Sequence, residues 1–211
     1  MMFADRVDAG RRVAAAVAVA GAGGPDVVVV ALPRGGVPVA GVLAHTLGAP
    51  LDVIVVCKLG VPGRPELAMG AVGEGGLRVV NEDVVRAARV SPEAFARAER
   101  LARAEVERRA ARFREGRTPV PLAGRTVLVV DDGIATGATA RAACQIIREH
   151  GAARVVLAVP VGPPTVISGL RDVADEVICV HAPAYFGAVG QFYADFEQTS
   201  DEEVRASLRA S

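Results

Sequence analysis

The chain has 211 residues, and Lys+Arg 24 balance Asp+Glu 24 to leave no net charge. Hydrophobic residues make up 51%, with 23 glycines and 13 prolines, so the composition is that of a compact globular protein and excludes disordered and collagen-like classes. The missing basic excess removes the electrostatic footprint of a general nucleic-acid binder and makes a small-molecule partner the default.

In chain order, Phe3, Val7, Val13 and Val17 suit the apolar face of a first helix. Arg11-Arg12 before VAAAVAVAGAGG imitates a twin-arginine export signal, but Asp5 and Asp8 are wrong for its leading region. AGAGG at 20–24 lacks the strand-then-helix setting of a dinucleotide fingerprint and reads as a flexible connection. Five short apolar runs follow at 27–32, 51–57, 126–131, 154–161 and 176–181, continuously apolar as strands buried on both faces are. Helix patterns at 37–48, 137–150 and 164–171 alternate with them, which predicts an α/β fold, a twisted parallel sheet with right-handed crossovers and helices on both faces. Ligands bind such sheets at the carboxyl ends of strands, near the switch in strand order.

Residues 82–115 are of another kind. Ser91-Pro92-Glu93 has the N-cap, N1 proline and early acid of a helix start, and Glu99/Arg103 and Glu105/Arg109 are spaced i,i+4. Seven arginines interleaved with five glutamates between 93 and 115 make a solvated helix with a narrow apolar seam. The longest uncharged stretch, 177–194, contains His181, Pro183 and Gln191, so no membrane span is predicted. Cys57, Cys144 and Cys179 are far apart and lack C-x-x-C spacing, which predicts buried thiols in a reducing, cytoplasmic setting and no zinc set.

The basic residues comprise 23 arginines and a single lysine, Lys58. A lone ammonium in a chain that otherwise uses guanidinium marks a position where a compact point charge is needed. The strongest chemical signal is VLVVDDGIATGAT, 127–139. A buried strand ends in Asp131 and Asp132, then runs through Gly133, Ala135, Thr136, Gly137, Ala138 and Thr139 into a helix. Glycines let backbone N–H groups turn into a nest, threonines add hydroxyl donors, and a helix N-terminus favours an anion. Without G-K-[ST] the loop is no triphosphate P-loop. Two carboxylates beside a phosphate nest fit a ribose 5-phosphate, its hydroxyls on the acids and its phosphate in the nest.

A second anion-binding turn is Pro33-Arg34-Gly35-Gly36, between strand and helix, with Arg34 free for bidentate phosphate contact. The segment 57–76 holds six glycines and two prolines, which suggests a lid over about 58–76, although ELAMGAV and GLRVVN could pair as strands. Lys58 is its main candidate for ligand contact, with Arg64 and Glu66 beside it. Both tyrosines and three of the six phenylalanines cluster at 185–196. Tyr185 or Phe186 is the candidate for stacking a flat base.

The motif 127–139 resembles the signature of the type I phosphoribosyltransferases: a hydrophobic strand, two acids and T-G-x-T. F-x-D-R-x-x-A-G-R at 3–11, E-L-A-x-G-A-V and F-Y-x-D-F narrow the resemblance to a bacterial phosphoribosyltransferase-like group. The resemblance covers about 25–181 and implies one domain over 1–211, with a hood from the N-terminal helix, from 182–211, or from both. It implies that Asp131 and Asp132 bind the ribose hydroxyls of phosphoribosyl diphosphate and that 135–139 cradle its 5′-phosphate. It further implies that Arg34, Gly35 and Gly36 form the pyrophosphate loop and that Mg²⁺ is carried mainly by the diphosphate, with the two acids as indirect ligands. A homodimer, a nitrogen acceptor and a nucleotide-salvage role are likewise implied. Ala135 stands where enzymes of hypoxanthine and guanine place an acid, which argues against a 6-oxopurine. Response-regulator receiver domains share the VLVVDD strand end but need a later phospho-accepting Asp and a Lys, and neither follows. The other function class is a non-catalytic sensor of phosphoribosyl diphosphate or a nucleotide.

Overall fold

The computed structural model describes residues 1–210. Its main sheet has five strands, β1 (Val27–Ala31), β2 (Leu51–Val53), β6 (Thr126–Val130), β7 (Arg154–Val161) and β8 (Glu176–His181), all parallel in the order β2-β1-β6-β7-β8. The predicted fold class is therefore the observed one. The chain steps outward in one direction from β1 to β2 and in the other from β6 to β8, so the switch in strand order lies between β1 and β6.

Alternate strand residues divide between two cores. Val27, Val29, Ala31, Leu128 and Val130 face the side covered by α1 (Arg6–Val19) and α2 (Gly36–Leu47). Val28, Val30, Val127, Val129 and Leu157 face α5 (Ala138–Glu149) and α6 (Pro164–Gly169). Both faces are covered, which is why these strands read as unbroken apolar runs. Of the expected apolar face of the first helix, Val13 and Val17 are buried and Phe3 is buried just before the helix, but Val7 is 39% exposed.

The run 51–57 is not one strand. It breaks at Ile54-Val55, and its second half enters β3 (Val56–Val61), which pairs antiparallel with β4 (Arg64–Gly73), itself paired with β5 (Arg78–Val80). The glycine-rich segment is thus a three-stranded sheet. Its tip turns at Pro62-Gly63, with Gly63 at φ 76°, the left-handed region that a side chain would strain.

The stretch 82–115 splits into α3 (Glu82–Ala87) and α4 (Pro92–Arg114). Ser91 caps α4 by accepting from the Ala94 N–H at 3.2 Å, as its sequence predicts. Glu99 pairs with Arg103 at 2.6 Å, but Glu105 pairs with Arg108 rather than Arg109, whose guanidinium lies over the Phe113 ring. Cys144 is buried while Cys57 and Cys179 are half-buried; burial pushes the thiols of Cys144 and Cys179 up to about 12 and about 11, away from reactivity. No described helix is long and apolar enough to cross a membrane.

One buried ion cluster ties α4 and the small sheet to the main one. Arg114 donates to Asp52 at 2.9 Å, to Glu74 at 2.5 Å and to the Val53 carbonyl at 2.6 Å, and its side chain is 9% exposed. Asp52 also accepts from the Val120 N–H, and Glu74 from the Val55 N–H. Removing the guanidinium would leave two carboxylates enclosed without their cation. Arg114→Ala is expected to cost about 3–5 kcal/mol in urea unfolding; a loss below about 1 kcal/mol would show that water reaches the cluster.

Candidate functional site: two loops at the strand switch

Loop 34–36 follows β1 and loop 131–139 follows β6, so the two signals from sequence emerge side by side at the carboxyl ends of the strands that flank the switch. Their contact is close enough to require glycine. A Cβ on Gly36 would sit 2.6 Å from the Val130 carbonyl and 2.9 Å from Asp131 Cα, and one on Gly35 would run into the Asp132 carboxylate. The P-R-G-G turn is therefore shaped by the acid loop it faces. Arg34 is half-buried, its guanidinium 3.6 Å from Asp201 at the start of α7 (Asp201–Arg209).

Gly137 caps α5 at φ 76° and, lacking a side chain, makes no cap hydrogen bond of its own. A Cβ there would meet Val166 at 2.8 Å. The Thr136 hydroxyl accepts from the Ala138 N–H at 3.5 Å, and the rest of the helix N-terminus is left open to an anion. Thr136, Ala138 and Thr139 line one wall of a cavity of about 260 Å³, and Lys58 on β3 lines the other. Lys58 and the 136–139 loop thus share one space. The nearest acid to Lys58 is Glu66 at 3.5 Å, whose side chain is 96% exposed, and Arg64 is exposed at the hairpin tip.

Asp131 and Asp132 are half-buried, and the Asp132 N–H donates to Asp131 Oδ1 at 2.9 Å. Loss of water, then the Asp132 charge, holds the Asp131 carboxyl well above the usual carboxylate range. Burial raises Asp132 as well, against the opposing pull of Arg6. Sequence reasoning missed Arg6, which reaches Asp132 Oδ2 with Nε at 2.8 Å and with Nη2 at 2.8 Å. The only trace of it in the sequence is its place inside F-x-D-R-x-x-A-G-R.

The two ends of the chain meet beside the acid loop. Phe3 pairs with Tyr193 in a parallel bridge, and their rings lie 5.3 Å apart. The Tyr193 hydroxyl donates to the Asp132 carbonyl at 2.6 Å, and burial raises this phenol so that it stays protonated. Gly133 packs under Val189 and Val161, where a Cβ would collide. Of the two stacking candidates, Tyr185 is 94% exposed and stands outside the ring cluster, while Phe186 stacks on Phe192 with centroids 5.4 Å apart. Tyr193, seen in sequence only as one member of the cluster, is the aromatic that touches the acid loop.

A phosphoribosyl transferase domain model matches residues 4–197. The chain belongs to the phosphoribosyl transferase family. It is 56% identical over 207 residues, 98% of its length, to "Putative phosphoribosyl transferase Rv0571c" of Mycobacterium tuberculosis, and spans 46% of that longer protein. The crystal structure of TT1426 from Thermus thermophilus superposes with a TM-score of 0.89 at 43% identity, covering 99% of this chain and 98% of the other. A stretch of 37 residues, 18% of the chain, is 65% identical to 20% of the adenine phosphoribosyltransferase of Kineococcus radiotolerans.

Two outcomes follow from this geometry. A carboxyl whose pKa is raised in the folded state keeps its proton where the unfolded chain has lost it, so folded stability falls as pH rises above about 4. Asp131→Asn is therefore expected to raise Tm at pH 7 by roughly 2–4 °C, the effect of about 1 kcal/mol in a chain of this length. The gain should close below about pH 4 in a pH series by calorimetry; a gain that persists there would remove the carboxyl as its cause. Gly35→Ala is expected to push the Asp132 carboxylate aside and cost about 1–3 kcal/mol in urea unfolding, and unchanged stability would show that the two loops can move apart.

Proposed function

We infer that the protein moves the 5-phosphoribosyl group from phosphoribosyl diphosphate to a nitrogen acceptor, a nucleobase or related ring other than a 6-oxopurine, and releases pyrophosphate. The observation that carries this reading is the meeting of a carboxylate pair, an open helix N-terminus and an arginine-glycine turn at one strand switch. The acids accept from the ribose hydroxyls, loop 135–139 holds the 5′-phosphate, and Arg34 with Gly35 and Gly36 holds the diphosphate. The 58–76 sheet acts as the lid, bringing Lys58 to the leaving group with Arg64 and Glu66 at its edge. Phe186 is the better placed of the two stacking candidates.

As the C1–O bond breaks, pyrophosphate leaves with the electron pair, and the acceptor nitrogen lone pair forms the new C1–N bond. These side chains contribute position and charge stabilisation. Three or more His, Cys, Asp or Glu side chains converge nowhere among the described residues, so the chain offers Mg²⁺ no cage of its own. Two carboxylates and a ligand diphosphate are the hard oxygen donors that Mg²⁺ takes, and Asp131 and Asp132 would hold it indirectly, where it would supply charge neutralisation at the departing oxygens. A cytoplasmic homodimer serving nucleotide salvage, with the whole chain acting as one unit, completes the reading.

The test is incubation with Mg²⁺, phosphoribosyl diphosphate and a pool of nucleobases, with products followed by mass spectrometry. A nucleoside monophosphate is expected, lost in Asp132→Asn and formed about 100-fold more slowly by Lys58→Ala. Binding of phosphoribosyl diphosphate without turnover would turn the reading towards a sensor; no binding would end it.

A further inference from the structure

The first helix brings a cation into the acid pair for which the phosphoribosyl chemistry above has no use. Arg6 directs two donors to one oxygen, Asp132 Oδ2. Its Nη1 donates to the Glu197 carbonyl at 2.6 Å, and its guanidinium carbon lies 4.0 Å from the centroid of the Phe196 ring. The side chain is 11% exposed. A guanidinium so enclosed needs an anion. Here that anion is the carboxylate a sugar hydroxyl must also use, so sugar and Arg6 compete for the same oxygen.

Other acids near Arg6 do not replace it: Asp131 also feels the Arg6 charge, but it accepts from the Asp132 N–H and is taken by the ribose in the reading above. Glu203 is close enough to be influenced by the Arg6 charge, but its carboxylate already accepts from the Ser200 N–H and hydroxyl at the start of α7. Asp195 and Glu197 are exposed, and Asp195 accepts from the Glu197 N–H. The anion that receives Arg6 must therefore arrive with a ligand. A second observation concerns position 135, where alanine precedes Thr136-Gly137 and provides no base. An acceptor suited to this loop attacks through a nitrogen whose lone pair is already free.

We propose that Arg6 reads the acceptor: displaced from Asp132 by the ribose, it takes a carboxylate carried by a planar nitrogen heterocycle. This rests on the phosphoribosyl reading above. Attack by the free lone pair forms C1–N while C1–O breaks towards pyrophosphate, and no proton has to be removed. Binding is ordered, because Arg6 is engaged by Asp132 until the sugar arrives. The flat face of Phe196, already under the guanidinium, is an apolar plate beside the anion site.

The experiment is titration calorimetry with nicotinate against nicotinamide and isonicotinate against isonicotinamide, pyridines with a free ring-nitrogen lone pair that differ in a carboxylate, with and without saturating ribose 5-phosphate. In at least one pair the acid is expected to bind about 10-fold or more tighter than its neutral partner, and only with the sugar present. Arg6→Gln should abolish that ratio while ribose 5-phosphate binding is kept or strengthened, and Arg6→Lys should restore part of it. Asp132→Asn, which frees Arg6 of its carboxylate, should bind the acid without sugar, an effect no merely structural role predicts. Should Arg6→Gln fail to fold, Arg6→Lys and Asp132→Asn still decide the matter. Equal binding of acid and neutral probes, or a preference that survives Arg6→Gln, overturns the proposal alone. Failure of ribose 5-phosphate to bind the parent protein overturns the phosphoribosyl reading with it.

Discussion

Two adjacent carboxylates at the end of a buried strand repel each other and lose water, and the surrounding structure is arranged to tolerate them. The Asp132 N–H turns back to Asp131, Arg6 comes in from the first helix, and the Tyr193 hydroxyl fixes the carbonyl of Asp132 from the C-terminal segment. Each of these contacts comes from a different part of the chain. The termini are thereby drawn to the carboxyl edge of the sheet, and the bridge between Phe3 and Tyr193 joins them there.

The same constraint explains the glycines opposite. The β1 and β6 strands are hydrogen-bonded neighbours in register from Val27↔Thr126 to Ala31↔Val130, so the loops leaving them start one strand spacing apart. There is no room for side chains on both. The acid loop keeps its carboxylates, and Gly35 and Gly36 give way. Loop chemistry and sheet topology are thus one fact, and the arginine-glycine turn, weak evidence when read alone, becomes specific once its neighbour is known.

How much of this is legible in the sequence depends on the range of the interaction. The five core strands are visible because burial on both faces leaves no polar residue in most of their length, and Ser91-Pro92-Glu93 marks the start of α4 because a cap is satisfied within three residues. The acid loop is readable for the same reason, being one continuous segment. The break at Ile54-Val55 is not, since apolar residues on either side serve two different sheets and hydrophobicity cannot tell them apart. Arg6 and Asp132 are 126 positions apart, and a lone arginine near the N-terminus of an arginine-rich chain carries no mark of its partner. Arg114, one of seven arginines between 93 and 115, is hidden in what reads as a solvated face.

The uneven use of arginine and lysine then has a physical sense. Arg114 meets two carboxylates and a carbonyl at once, and Arg6 meets a carboxylate, a carbonyl and a ring face, tasks for a planar fork with several fixed donors. Lys58 has the opposite surroundings: one long contact to an exposed glutamate, which at such exposure contributes about 0–1 kcal/mol, and a cavity shared with the 136–139 loop. A point charge on a flexible stem can leave such a contact at little cost and follow a moving negative charge. Arg114 locks α4 and the small sheet to the main sheet, whereas Lys58 is tied down by a single weak contact.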